Sequence, residues 1–253
     1  MAALTEIIAE LDRLLEPGGF SDYGPNGVQV PGSEWVETVA TGVSAHAELF
    51  ELARRAGAQM VLTHHGLLWE GAPLAITRTQ ARRLKVLLDN DMTLASYHLP
   101  LDAHQELGNN ALIAKGLLCD AWQPFGDHRG CAIGCAGRFG DDGVAADELV
   151  ARVRALTQRE PLVFAEGPPQ VRSVGIVSGG GAGHLDEAIE AGLDAFLTGE
   201  PTERVMAQAR EAGIHFIAAG HYATETFGVR ALGDHLAERF DVRHVFLDVP
   251  NPI

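Results

Sequence analysis

A histidine followed four residues later by a carboxylate occurs twice in this chain. The first case is Tyr97-His98-Leu99-Pro100-Leu101-Asp102 and the second is Gly220-His221-Tyr222-Ala223-Thr224-Glu225. Upstream of the first lies an adjacent pair, Thr63-His64-His65-Gly66; upstream of the second lies Thr198-Gly199-Glu200. Each group follows a short apolar run that reads as a strand, over residues 60–63, 93–96, 195–198 and 216–219. Histidine and carboxylate at strand ends are metal donors. Imidazole suits Zn, Fe, Ni, Co or Cu, and carboxylates add Mn and Mg.

Within a strand, His64 and His65 would point to opposite faces, but at a strand end the backbone can turn both toward one site. They are read as ligands, with Asp102 and Glu225 as the carboxylate donors. A carboxylate can bridge two cations, and two metals roughly 3.5–4 Å apart can share a hydroxide made nucleophilic at neutral pH. His98 is either a direct ligand or a group that orients Asp102 or donates to substrate. The second role is favoured, because five ligands already suffice for two open metals. A spacing of four also fits one helical turn, so each pair alone could be structural; the motifs read as strand followed by loop, which speaks against that. His104, Tyr222 and Thr224 flank the ligand motifs and are candidates for substrate contact. His128, His184, His215, His235 and His244 lack such a context.

These residues need elements to position them. Helical patterns at 4–15, 47–56, 77–90 and 109–117 alternate with strands at 36–43, 60–63 and 93–96. A second series follows: strands at 131–137, 171–177, 195–198, 216–219 and 242–249, and helices at 147–156, 185–191, 202–212 and 226–240. Residues 53–63 match residues 188–198 at a constant offset of 135, and the two His-x-x-x-acid motifs match at an offset of 123 (221 − 98). The expected fold class is α/β, with two similar interlocked lobes related by internal duplication, residues 1–124 and 125–253, and a dinuclear metal site between them. Open α/β sheets bind ligands at the carboxyl ends of their strands, where these residues fall. Residues 178–183, Ser-Gly-Gly-Gly-Ala-Gly, sit between a strand and a helix. They match neither a Walker loop nor a full dinucleotide fingerprint, and a tight turn beside the site is preferred over a phosphate cradle.

Composition bounds the rest. The 253 residues are 46% hydrophobic and 21% charged, enough for a substantial core. A net charge of −15, from 19 Lys+Arg against 34 Asp+Glu, excludes a broad nucleic-acid-binding face but leaves room for a local anion pocket. No run approaches the roughly 20 apolar residues of a membrane helix, and residues 1–16 have the pattern of an amphipathic helix rather than a signal peptide. The three cysteines, Cys119, Cys131 and Cys135, form no regular framework and suggest a reducing, cytoplasmic location. Cys131-x-x-x-Cys135 has no second pair to complete a zinc site.

Several stretches occur together in order: Phe20-Ser21-Asp22-Tyr23-Gly24-Pro25-Asn26-Gly27-Val28-Gln29-Val30, the His64-His65 pair, residues 97–104 with Leu107-Gly108-Asn109-Asn110, Thr198-Gly199-Glu200 and residues 219–225. This set resembles the GTP cyclohydrolase 1 type 2 homolog family, the NIF-three-like proteins, in their short bacterial form. The resemblance implies two α/β lobes, two divalent metal ions per subunit (Zn, Fe, Mn, Ni, Co or Mg), and ligands at His64, His65, Asp102, His221 and Glu225. It also implies a homohexameric toroid, a trimer of dimers. The function expected is metal-dependent hydrolysis of a nucleotide or related heterocycle through metal-activated water, with His98 as the catalytic proton carrier. A metal-binding, metal-delivery or regulatory scaffold without turnover would use the same ligands.

Overall fold

The computed structural model describes residues 1–253. The elements that matter in the first part are α1 (Leu4–Leu15), β1 (Gly27–Val30), β2 (Thr38–Ser44), α2 (Ala47–Ala56), β3 (Met60–His65), α3 (Arg78–Asp89), β4 (Thr93–Ser96), α4 (Leu99–Ala103) and α5 (Asn109–Gly116). There follow β5 (Ala121–His128), β6 (Cys131–Arg138), α6 (Ala146–Thr157), β7 (Leu162–Ala165), β8 (Ser173–Val177), α7 (Leu185–Glu190) and β9 (Ala195–Thr198). The chain ends with α8 (Val205–Ala212), β10 (His215–Ala218), α9 (His221–Thr224), α10 (Thr226–Phe240) and β11 (Arg243–Phe246). It divides into two units, Met1–Leu101 with Gly228–Pro250 and Asp102–Phe227 with Asn251–Ile253. No helix is long and apolar enough to cross a membrane.

The first unit holds a five-stranded sheet in the order β11-β2-β3-β4-β1, parallel except for β1, which runs antiparallel to β4. Parallel strands covered on both faces must be apolar throughout, and Val39, Ala40, Met60, Val61, Leu62, Leu94 and Ala95 are all fully buried. Helix ends follow local chemistry. The His46 ring accepts from Leu49 N–H at the start of α2, and Thr77 and Gln80 form a capping box at the start of α3. Ile7, Leu11 and Leu15 recur at every fourth position and give α1 its buried stripe.

The second unit holds a six-stranded sheet in the order β7-β10-β9-β8-β6-β5. Strands β8, β9 and β10 are parallel; β7 and β6 flank them antiparallel, and β6 pairs with β5 as a hairpin. The succession β7-β8-α7-β9-α8-β10 repeats β1-β2-α2-β3-α3-β4. Val39 pairs with Met60 and Val174 with Ala195, the same register 135 residues apart (174 − 39 and 195 − 60). The fold is therefore two similar α/β lobes, as the duplicated pattern predicts.

Some elements differ from the sequence pattern. The run expected as one strand over 171–177 breaks at Arg172, because Asp194 Oδ2 accepts both Arg172 N–H and Ser173 N–H there. β5 and β7 carry no strand pattern. β5 contains Pro124 and Gly126, tolerated because it is an edge strand, and β7 is a four-residue edge with no alternation of exposure. The His98 and His221 motifs lead into single helical turns, α4 and α9, rather than loops.

Candidate functional site

In the first unit, β3 runs through both histidines of the adjacent pair. His64 is fully buried, and its Nδ1 lies 3.2 Å from the Tyr97 carbonyl. A carbonyl only accepts, so Nδ1 carries the proton and Nε2 the lone pair. His65 places Nδ1 3.0 Å from Ser44 Oγ, on the neighbouring strand. His98 follows β4, and its Nδ1 lies 2.7 Å from Asp22 Oδ1. One ring nitrogen from each of His64, His65 and His98 falls within 4.8 Å of the others.

The turn before β1 organises this cluster. Asp22 Oδ2 accepts Leu99 N–H at 2.9 Å, satisfying a donor at the start of α4, while Asn26 Oδ1 accepts His98 N–H at 2.8 Å. Asn26 Nδ2 donates back to Asp22 Oδ2. Burial alone would raise the Asp22 carboxyl, but His98, the Asn26 amide and Leu99 N–H outweigh it and hold the group at about 2. Gln29 Oε1 accepts Leu67 N–H at 2.7 Å and fixes the chain just after His65. Trp69 meets the His98 ring edge-on, with centroids 5.3 Å apart.

In the second unit, Asp102 Oδ1 accepts from Asn109 Nδ2 at 2.8 Å and Ser178 Oγ at 3.0 Å. Asn110 binds the Asp102 and Ile133 carbonyls through Nδ2 and accepts Ser178 N–H through Oδ1. His221 opens α9, with Nδ1 on Glu200 Oε1 and Nε2 3.1 Å from Glu225 Oε1. Burial alone would lower its pKa, but the hydrogen bonds and charges of Glu225 and Glu200 raise it to about 9. Gly179, at φ +60°, allows this geometry. A Cβ there would collide with Glu225 Oε1 and stand 3.0 Å from His221 Nε2. The glycine run 178–183 thus serves as a close-packed turn against His221 and Glu225.

The Duf34/NIF3 (NGG1p interacting factor 3) family profile matches residues 2–252. The chain belongs to the Duf34/NIF3 family. It is 44% identical over 250 residues, 99% of this chain and 98% of the relative, to the GTP cyclohydrolase 1 type 2 homolog of Pseudomonas aeruginosa. The Escherichia coli K12 protein of the same name is 41% identical over 255 residues, covering 98% of each chain. Among solved structures, the protein TTHA1606 from Thermus thermophilus is similar with a TM-score of 0.92 at 37% identity, covering all of both chains.

For a Duf34/NIF3 chain, the donor chemistry fits a metal. His64, His65, His98 and His221 each engage Nδ1 with a carbonyl, hydroxyl or carboxylate, which presents Nε2 as the donor face, the usual arrangement behind a ligating imidazole. Asp102 and Glu225 add carboxylates that are 7% and 3% exposed. The groupings can therefore hold metal ions, and binding at His221 would displace the proton on Nε2.

Of the neighbours considered for substrate contact, Thr224 is fully buried. Its Oγ1 accepts Gly179 N–H and donates to the Gly220 carbonyl, tying the glycine turn to α9. His104 Nδ1 accepts Glu106 and Leu107 N–H groups and closes a turn. Tyr222 N–H donates to the Ile253 carbonyl oxygen. His215, His235 and His244 are all hydrogen-bonded within the fold. Sequence reasoning missed Asp22 and Asn26 as clamps on His98, and Glu200 as the partner of His221. Glu200 carried a signal: it lies 135 residues after His65.

Proposed function

We propose that this chain is a metal-dependent hydrolase acting on a nucleotide or a related heterocycle, with His64, His65, Asp102, His221 and Glu225 holding two divalent cations. The observation that carries this reading is the orientation of the imidazoles. Four histidines, at three strand ends, each commit Nδ1 to a partner in the protein and present Nε2 on the opposite side of the ring. When bound, the cations would supply Lewis acidity and lower the pKa of water. The names of the relatives favour a purine nucleotide such as GTP, whose opening at guanine C8 releases formate.

His98 moves the proton. With Asp22 on Nδ1, its Nε2 accepts a proton from the attacking group and returns it to the leaving nitrogen or oxygen; the carboxylate stabilises the imidazolium in between. Trp69 and Tyr23 border the ring. Further parts of the proposal are a homohexamer, read by analytical ultracentrifugation, and a cytoplasmic location.

The test loads the protein separately with Zn, Fe, Mn, Ni, Co and Mg and follows formate release from GTP together with a phosphoester panel. Turnover with at least one metal, lost in Asp102→Asn at unchanged Tm, is expected. Metal that stays bound with no turnover of any substrate contradicts the reading, and metal that passes readily to a chelating acceptor would favour delivery instead.

A further inference from the structure

Arg159 is not one of the metal donors or of the groups that orient them. It follows α6 and leads through Glu160 and Pro161 into β7, whose Leu162 pairs with Ala218 of β10. That antiparallel register carries the residues before Leu162 alongside those after Ala218. The Arg159 side chain accordingly lies on Gly220: a Cβ there would collide with Nη1 and stand 2.8 Å from both Cδ and Cζ. Gly220 sits at φ +97°, so its backbone and its surroundings both require glycine. The next residue is His221.

Four other arginines of this unit have side-chain partners, and Arg138 and Arg204, which make none, are exposed. Arg152 pairs with Glu148, Arg154 with Glu160 and Arg210 with Glu166, and Arg172 donates to the Asp141 carbonyl. Arg159 is half-buried and makes no hydrogen bond or ion pair. A guanidinium offers five donors in a planar fork that matches the oxygens of a phosphate. None of its nitrogens is buried without a partner, so a bound anion would replace water on that fork with charge-assisted hydrogen bonds. A chain with net charge −15 repels polyanions over most of its surface, so an idle arginine beside His221 is a local exception.

We propose that Arg159 binds a phosphate group of the substrate, holding it beside His221. The inference rests on the reading of this protein as a nucleotide hydrolase and assigns the residue that takes the anionic part of the nucleotide.

Calorimetric titration of the metal-loaded protein with pyrophosphate, and with malonate as a dicarboxylate control, tests it. Wild type should prefer pyrophosphate. Arg159→Gln should weaken pyrophosphate binding about tenfold to a hundredfold, the loss expected for hydrogen bonds to a charged group, with metal content and Tm unchanged. Arg159→Lys should recover part of the affinity, keeping the charge but losing the fork. The proposal is overturned if Arg159→Gln binds pyrophosphate like wild type, if malonate binds as tightly, if wild type binds no pyrophosphate, or if Arg159→Gln loses metal or Tm. Because binding is read without turnover, a protein that hydrolyses nothing can still pass, and a failure here leaves the hydrolase reading to its own assay.

Discussion

Nδ1 of His98 is held 2.7 Å from Oδ1 of Asp22, a carboxylate 76 residues upstream. The same carboxylate, through Oδ2, accepts the Leu99 N–H that opens the next helical turn. One side chain thus sets both the ring and the backbone that presents it. In the second unit Glu200 occupies Nδ1 of His221, the histidine that matches His98 in the duplication.

The Asp22 pair has a pH signature. Its carboxyl is lowered from 3.8 to about 2 in the folded state. The stability this gives is fully present above the unfolded value near 4 and is lost as pH falls toward 2; it amounts to on the order of 2 kcal/mol. Urea unfolding of wild type and Asp22→Asn between pH 6 and pH 2.5 should show the two curves converging at the acid end. Parallel curves would contradict the assignment.

Asn110 is predicted to matter more for stability than its surface-type chemistry suggests. It is 1% exposed and satisfies the carbonyls of Asp102 and Ile133 and the N–H of Ser178. Asn110→Ala leaves these buried groups unmet and should cost about 3 kcal/mol or more. Chemical denaturation measures it, and a loss below about 1 kcal/mol would show that the network is dispensable.

Gly179→Ala should separate fold from site. The φ of +60° disfavours alanine by roughly 1 kcal/mol, and the new methyl would displace Glu225 and crowd His221. A modest fall in Tm with a large fall in metal affinity is expected. A variant that binds metal like wild type would contradict the placement of Glu225 and His221 as donors.

The thiols should divide by burial. Burial pushes the Cys119 thiol up to about 12, and burial together with the nearby Cys119 pushes Cys135 up as well; Cys131 is only half-buried. Ellman titration at pH 8 should find Cys131 reactive in the native protein and all three thiols reactive after unfolding. Fast native reaction of Cys119 or Cys135 would show that their packing is looser than described.

Local pattern carried much of the fold. The runs at 60–63 and 195–198 read as strands because parallel strands must be apolar on both faces, and the offset of 135 was visible because it preserves strand register. The His64-His65 pair, Asp102, His221 and Glu225 stood out by residue type and spacing. What stayed hidden was non-local. Nothing near Asp22 announces a partner at His98, and Asn110 reads as an ordinary residue of the helix start. β11 pairs in parallel with β2 across some 200 residues, as in His244 with Val39, which no local period encodes. The idle fork of Arg159 depends on where a short edge strand lands.

Elemental analysis of purified protein decides whether these histidines and carboxylates bind metal. Two divalent ions per chain are expected in wild type. Bound metal should be lost in His64→Ala, His65→Ala, Asp102→Asn, His221→Ala and Glu225→Gln, with circular dichroism and Tm showing the fold retained. Folded variants that keep the full wild-type metal content would contradict ligation by these residues.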